Sequence, residues 1–366
     1  MNVKLTHLRK KLILFALLSV NILSAQKIWD STYYVKYRSR LIIDLFQSYR
    51  NYNIELQQYL KKDTVGTSKL NYIAQANNIS GIEINYDKLN VSFGYASIQP
   101  ANVKQTGKTD HFNVGLNVGG NKWILETNYR RYQGFYDKNT PHYDSAYTKW
   151  DSVGTDRRGI YTQFPHMVST SYKMKFLYFT NNKRFAFKSG YSCSYRQLKS
   201  SFSWVITANG YYNTLSTTDS SFFPRQVQSY YDTHANLNGL NVAAFSVYGG
   251  ASFNLVLWRA FFVNITCLVG PEEQWRTYRY FNDTLHHNRT IFYNAISGDL
   301  RGSMGLNFKR WFVSITGLTD FSYYRSGEMM FLSKYFSGQF CIGYRFKVKT
   351  PKIYQKFQQT KLYSYM

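Results

Sequence analysis

The fold of this chain is decided by residues 171–196, which read SYKMKFLYFTNNKRFAFKSGYSCSYR. Apolar and polar side chains alternate on both sides of Asn181-Asn182, and Asn tolerates the positive φ that a two-residue turn requires. The pattern therefore predicts a long β-hairpin in which Tyr178 faces Phe185. One face of this hairpin is aromatic and the other is basic, as expected both for a soluble sandwich and for a membrane barrel.

The composition favours a membrane barrel over a bundle of membrane helices. The chain has 366 residues, of which 19% are aromatic, and its mean hydropathy is −0.40. The strands of a membrane barrel are apolar only at every second residue, so such a protein combines many aromatic residues with moderate polarity. An all-β soluble protein is the alternative that composition alone leaves open.

The N-terminus has the pattern of a secretory signal. A basic segment precedes an apolar run from Leu12 to Leu23, and Ala25 offers a small residue for cleavage. The run is shorter than the roughly 20 residues that a membrane-spanning helix needs. We therefore expect residues 1–25 to be removed as a signal peptide and the mature chain to be exported.

The net charge of +25 points to an anionic partner. For an exported chain, the suitable partners are outer-membrane lipid, lipopolysaccharide and anionic solutes. Nucleic acid is not expected as a partner, and the oligomeric state is left open by the sequence.

Alternating segments recur along the chain and predict many strands. Three long polar loops interrupt them, at 133–166, 213–239 and 271–293, whereas the turns at 258–259 and 309–310 are tight. Long loops that alternate with tight turns are typical of membrane barrels. We expect an all-β, antiparallel up-and-down transmembrane β-barrel over residues 26–346, with about 12 strands (roughly 12 to 14). A basic C-terminal tail occupies residues 347–366.

One loop falls at the wrong end of this predicted barrel. In the second half of the chain, the long loops share one end and the tight turns share the other. If 199–212 is a separate strand after the hairpin, the loop 133–166 lies at the end of the tight turns. Either 133–166 contains an additional strand, or 199–212 does not cross the barrel completely.

Four segments resemble a known family. They are RRYQGFY at 130–136, FTNNKRF at 179–185, QLKSSF at 197–202 and DSSFFP at 219–224. In order and spacing they resemble domain of unknown function 4421, a family of uncharacterised barrel-like proteins from Gram-negative bacteria. The resemblance implies an outer-membrane location and implies no reaction.

The polar face of the predicted hairpin is the candidate functional site. It carries the basic side chains Lys173, Lys175, Arg184, Lys188 and Arg196. In an open pore these cations would concentrate anions. In a closed barrel they would pair with carboxylates such as Glu126 or Asp299, and we favour this second hypothesis because small barrels are often filled by side chains.

Other candidate sites are weaker. Asp299 and Asp320 are predicted to lie opposite each other in a hairpin, as a rim pair bound by Arg301 or Arg325. His286-His287 lies in a loop, where adjacent side chains point in different directions. No catalytic residue, metal site or cofactor is predicted.

We therefore expect a non-enzymatic outer-membrane barrel of unknown physiological role. It is either a narrow pore with a basic lumen or a structural or surface-binding barrel. The alternative is a lipid-modifying outer-membrane barrel enzyme, which needs a Ser–His or carboxylate pair within hydrogen-bond reach. The sequence contains no Gly-x-Ser-x-Gly motif of the kind that marks many hydrolases.

Overall fold

The computed structural model describes residues 30–58, 69–96, 102–148, 158–231, 234–281, 289–325, 329–361 and 363. The predicted signal peptide lies outside these ranges, and so does the His286-His287 pair.

Within these ranges, twelve antiparallel strands close into one ring. They are β2 (Arg40–Gln58), β3 (Lys69–Tyr86), β4 (Leu89–Ala96), β5 (Asp110–Gly119), β6 (Trp123–Asp137), β7 (Thr162–Phe179), β9 (Ser201–Ser216), β10 (Leu237–Leu257), β11 (Phe261–Tyr280), β12 (Arg289–Asn307), β13 (Trp311–Arg325) and β14 (Met329–Lys347). Each strand of the ring pairs with the ring strands that precede and follow it in the chain, and β14 closes the ring on β2. The predicted all-β antiparallel barrel of about 12 strands is confirmed.

The remaining elements are short. Two strands, β1 (Tyr34–Lys36) and β8 (Tyr195–Gln197), pair only with each other. The helices are α1 (Val103–Thr106) and α2 (Lys352–Gln358), with 3₁₀ turns at Thr140–His142, Ser145–Tyr147, Phe187–Ser189 and Gln228–Tyr230.

The two faces of the wall differ in polarity because successive side chains of a strand point to opposite sides. On β9, for example, Phe202, Trp204 and Ile206 are exposed, whereas Ser203 and Thr207 are buried. The outer surface of the ring is thus apolar, whereas its interior combines many polar side chains with an apolar cluster that includes Tyr72, Phe135 and Phe331.

The predicted hairpin is confirmed in its first strand and wrong in its second. Strand β7 pairs with β9, so Tyr178 lies opposite Ile206 and not opposite Phe185. After the Asn181-Asn182 turn the chain enters the interior of the ring. Phe185 is buried there, and its ring centroid lies 5.8 Å from that of Phe179. The alternation of residue types after position 182 is not an alternation of inside and outside, because residues 185–190 are all buried and include a 3₁₀ turn.

This correction resolves the misplaced loop. Strand β9 crosses the barrel completely, and the segment between β7 and β9 is not a crossing strand. The connection after β6 and the connection after β9 therefore lie at the same end of the ring. We call this end the long-loop end. The opposite end, the tight-turn end, contains the short connections at 87–88, 120–122, 258–260 and 308–310.

The long-loop end is covered by the chain between β9 and β10. Phe222, Phe223 and Tyr231 are buried, and the Phe223 and Tyr231 rings stack with their centroids 4.0 Å apart. The Tyr72 hydroxyl donates a hydrogen bond of 2.7 Å to the carbonyl oxygen of Phe222, which ties this cover to the wall.

Two adjacent glycines of β10 provide a test of this geometry. A Cβ on Gly250 would overlap the backbone carbonyl oxygen of Cys267, whereas a Cβ on Gly249 meets no atom within 4 Å. We expect Gly250→Ala to lower the free energy of unfolding by about 1–3 kcal/mol, because the wall has no room for the added atom. Gly249→Ala is the matched control and should leave the urea midpoint unchanged in detergent micelles. Equal midpoints for the two variants would contradict the register of β10 and β11.

Candidate functional site in the barrel lumen

A layer of charged side chains crosses the lumen. We call it the ionic layer, and it consists of Glu126, Arg130, Lys173, Lys175, Asp299, Arg301 and Asp320. Strands β6 and β7 contribute one half, and β12 and β13 contribute the other. These two strand pairs are separated around the ring, so the ion pairs bridge the lumen from wall to wall.

Two lysines from β7 meet two aspartates on the other side. Lys173 Nζ lies 2.8 Å from Asp320 Oδ2. Lys175 Nζ binds Asp299 and also lies 3.6 Å from Asp320 Oδ1. The two aspartates are directly opposite each other in the register of β12 and β13, as predicted. They lie inside the lumen, however, and not at a rim.

Arg301 connects the rest of the layer. Its guanidinium donates two hydrogen bonds of 2.8 Å to the two carboxylate oxygens of Glu126, and its Nε donates one of 2.9 Å to Asp299 Oδ1. Such forked pairs fix geometry as well as charge. Glu126 and Asp299, the two carboxylates named in the closed-barrel hypothesis, therefore both form ion pairs with basic side chains.

The charges of the ionic layer nearly cancel. Four basic and three acidic side chains leave one positive charge. Arg130 is the least tightly paired of the cations, with its Nη1 3.8 Å from Asp320 Oδ2, and its guanidinium lies 3.8 Å from the ring centroid of Tyr335. Buried charges are costly unless they are paired and hydrogen-bonded, so this layer is stable only as a unit.

Lys188 does not belong to the ionic layer. It lies in the segment that fills the lumen near the tight-turn end, where its Nζ donates hydrogen bonds of 2.6 Å to Gly119 O and 3.4 Å to Lys88 O. Burial lowers the pKa of Lys188 to about 8. The prediction that it shares a strand face with Lys173 and Lys175 is wrong, because residues 183–196 do not form a strand of the wall.

Arg184 and Arg196 are also displaced from the predicted face. Arg184 is exposed, with its Nε 4.0 Å from Asp30 Oδ2, and Arg196 donates a hydrogen bond of 2.8 Å to Arg259 O. Of the five predicted residues, only Lys173 and Lys175 come together. That any of the five binds an anion stays a prediction.

We call residues 181–197 the plug. Its backbone has few strand partners, so side chains of the wall satisfy its carbonyl groups. Asn254 donates a hydrogen bond of 3.1 Å to Ala186 O, and Asn307 donates bonds of 3.2 Å to Ser189 O and Tyr195 O.

Arg345 anchors the plug with several hydrogen bonds. Its Nε lies 3.2 Å from Cys193 O, and its Nη2 lies 2.5 Å from the same oxygen and 2.6 Å from Asn307 Oδ1. Cys193 has a φ of +48°, so the plug turns sharply where Arg345 holds it. A buried guanidinium with several acceptors binds a backbone firmly, since each charge-assisted hydrogen bond is strong.

Two cavities flank the ionic layer. One, of about 80 Å³, extends toward Tyr211 and Glu272, and the other, of about 190 Å³, extends toward Tyr191 and Ser192 of the plug. Arg130, Lys173 and Asp320 line both cavities and so form the partition between them. Each cavity has room for a few waters but not for a large solute.

Several residues of this site were missed by sequence reasoning. Arg130, Asn254, Asn307 and Arg345 are all polar residues at lumen-facing positions of strands whose alternating pattern is clear. Listing the polar side chains by strand face would have found them as lumen residues. Their partners in the plug were hidden, because the plug was interpreted as a strand.

This arrangement defines a closed antiparallel β-barrel with an internal plug. The chain belongs to the family described as domain of unknown function DUF4421, whose profile matches residues 29–346. The resemblance seen in the four sequence segments is thereby confirmed.

Several solved structures show limited similarity to this chain. OmpT of Vibrio cholerae is 10% identical, with 85% of this chain and 99% of that chain covered and a TM-score of 0.29. The translocator domain of the autotransporter NalP from Neisseria meningitidis is 10% identical, with 94% and 98% covered and a TM-score of 0.27. The toluene transporter TodX of P. putida is 6% identical, with 85% and 91% covered and a TM-score of 0.24. No curated protein matches the chain.

Two further observations concern the described residues. None of their helices has the length and apolar character required to cross a membrane. Among these residues, no group of three or more His, Cys, Asp or Glu side chains is placed to hold a metal ion.

The ionic layer predicts a large effect of removing one carboxylate. Asp299→Asn leaves Lys175 and Arg301 with one buried partner charge fewer, and we expect the free energy of unfolding to fall by about 3–5 kcal/mol. Urea unfolding in micelles measures this change. The control is Asp110→Asn, which removes the exposed partner of Lys108 at 3.0 Å and should change stability by less than about 1 kcal/mol. Similar losses in both variants would show that the ionic layer is not a buried network.

Proposed function

We propose that this protein is a non-enzymatic outer-membrane β-barrel whose lumen is closed at rest, and that it works as a structural or surface-binding barrel. The observation that carries this proposal is the filled lumen: the ionic layer bridges the walls, and the plug occupies the tight-turn end. An open, passive anion pore is the less supported hypothesis, because the cations of the ionic layer already have carboxylate partners.

The membrane location is supported by the outer surface of the ring. Large apolar side chains are exposed there on most strands of the wall, with Trp204 at 61% as one example. Soluble monomers rarely expose a continuous apolar surface of this extent. An apolar exterior around a polar interior is the arrangement of a membrane barrel, in which the exterior contacts lipid.

The orientation follows from the lengths of the connections. In bacterial outer-membrane barrels, short turns face the periplasm and longer loops face the outside. Both ends of the ring, Arg40 and Lys347, lie at the tight-turn end. The proposal therefore places the plug on the periplasmic side, and it places the buried aromatic cover of the 217–231 segment toward the outside.

The lipid-modifying alternative gains no support from the strand-borne histidine. His111 is buried in the lumen, with its Nε2 3.1 Å from Arg50 Nη1 and its Nδ1 3.2 Å from Arg131 O. A general base for lipid chemistry would have to lie on the outer face of the wall, whereas His111 faces the lumen. We therefore do not propose an enzyme.

Two outward leucines at different depths test the membrane location. Leu300 is 50% exposed and lies between Asp299 and Arg301 of the ionic layer, whereas Leu257 is 39% exposed and ends β10 at the tight-turn end. We expect Leu300→Arg to destabilise the lipid-embedded barrel by about 2–4 kcal/mol and Leu257→Arg by only about 0–1 kcal/mol. Unfolding in liposomes measures both. Fractionation with soluble periplasmic proteins, or equal losses for the two variants, would contradict the proposal.

Planar-bilayer recordings test whether the lumen is closed. We expect no steady conductance from the native barrel. The β7 and β9 ends are adjacent, since Asn181 Nδ2 donates a 2.7 Å hydrogen bond to Phe202 O, so an Asn-Gly turn can replace residues 183–198. The deletion combined with Asp320→Ala should conduct with anion preference, and adding Lys173→Glu plus Lys175→Glu should weaken or reverse that preference.

The controls for this experiment separate closure from misfolding. The deletion alone keeps the ionic layer intact and should conduct much less than the combined variant. Each variant is used only if its migration on gels is heat-modifiable, as expected for an intact barrel. Steady conductance of the native protein would favour the open pore, and silence of the folded combined variant would show that another element closes the lumen.

A further inference from the structure

The C-terminal segment after β14 is held at the tight-turn end of the barrel. The hydroxyl groups of Tyr354 and Tyr363 donate hydrogen bonds of 3.1 and 2.5 Å to Asp87 Oδ2. Lys88 Nζ donates to the carbonyl oxygen of Tyr363 and lies 3.5 Å from the centroid of its ring. The segment is thus anchored on the turn between β3 and β4, and α2 has a fixed place beside the wall.

Helix α2 presents apolar side chains beside this anchor, since the ring centroid of Phe357 lies 5.6 Å from that of Tyr354. Ile353 is 85% exposed, and it lies one turn from Phe357, so that both share one face of the helix. Together with Pro351 and Leu89 they line an open apolar groove. Leu89 begins the outward row of β4, which continues through the exposed Val91. The groove is therefore continuous with the apolar outer surface of the barrel.

The same segment is strongly basic. Residues 347–366 contain five lysines and no Asp or Glu. Lys352 and Lys356 are exposed and lie one helical turn apart, next to the face that carries Ile353. A short helix with adjacent basic and apolar faces is suited to the boundary between lipid headgroups and acyl chains.

The turns at the tight-turn end also carry exposed basic and aromatic side chains. Other turns at the tight-turn end, elsewhere around the ring, expose the basic side chains of Arg259, Lys309 and Arg310. Trp258 is 86% exposed in one of these turns. Aromatic side chains at the ends of membrane-spanning segments lie at the level of the headgroups, and lysines near them attract anionic lipid. The groove therefore lies at the depth where a phospholipid headgroup meets its acyl chain.

We propose that the C-terminal segment and the first residue of β4 form a binding site for an anionic phospholipid. An acyl chain lies in the groove of Leu89, Ile353 and Phe357, and the headgroup phosphate binds Lys352 and Lys356. The ligand is a membrane lipid and not free phosphate, because the groove is apolar and opens onto the outer wall. This inference rests on the proposed membrane location and adds a specific lipid class to it.

Native mass spectrometry of the detergent-solubilised full-length barrel tests the proposal. Phosphatidylglycerol and phosphatidylcholine with the same acyl chains are the probes. We expect phosphatidylglycerol to bind more tightly, and Lys352→Gln plus Lys356→Gln to weaken its binding on the order of tenfold. The same variant should weaken phosphatidylcholine binding much less, because the choline cation offsets the charge of the phosphate in that lipid. Ile353→Ser should weaken the binding of both lipids, since it removes the apolar contact.

The matched control is Lys104→Gln plus Lys138→Gln, which neutralises two exposed lysines at the long-loop end and should leave lipid binding unchanged. Equal binding of the two lipids, or an equal loss in the control, overturns the proposal. Displacement of phosphatidylglycerol by inorganic phosphate at similar concentration also overturns it. A protein that fractionates without membranes contradicts the membrane location itself. A membrane-bound, heat-modifiable barrel without lipid preference contradicts only the site.

Discussion

Closure of the ring is the constraint on which the rest of the structure depends. The pairing of β14 with β2 runs from Lys347 opposite Arg40 to Met329 opposite Gln58, so the first and last strands of the wall satisfy each other. An unclosed sheet would leave two edges with unpaired backbone groups, which cannot exist in contact with lipid. Closure in turn creates an interior, and a polar interior without bulk water has to be filled by groups that pair with one another.

The interior is filled in two different ways. In the ionic layer, basic and acidic side chains from opposite walls form ion pairs across the lumen. In the plug, backbone carbonyl groups accept hydrogen bonds from amide and guanidinium groups of the wall, such as those of Asn307 and Arg345. Neither solution is an isolated feature, because Tyr191 and Ser192 of the plug border the cavity beside the ionic layer. The two elements therefore close the barrel as a connected unit.

The sequence predicts the wall well and the plug not at all. Alternation identified the outward rows and placed Lys173 and Lys175 on the lumen side, because the wall has a strict period of two, whereas the predicted rim position of the Asp299–Asp320 pair is wrong. The same period misled in residues 183–196, where Phe185 and Phe187 pack inside the lumen but the residues between and after them are buried as well. Which wall strands face each other across the ring depends on its closure, so partners such as Arg301 and Glu126 are visible only in the folded structure.

The position of the plug in the chain has a consequence for assembly. The plug is joined to the wall at both of its ends, between β7 and β9, and it therefore cannot leave the barrel as a free domain would. Several of its anchors, including Asn254, Asn307 and Arg345, belong to strands that follow it in the chain. Its final hydrogen bonds form only when β14 has reached its place, so seating of the plug marks the completion of folding.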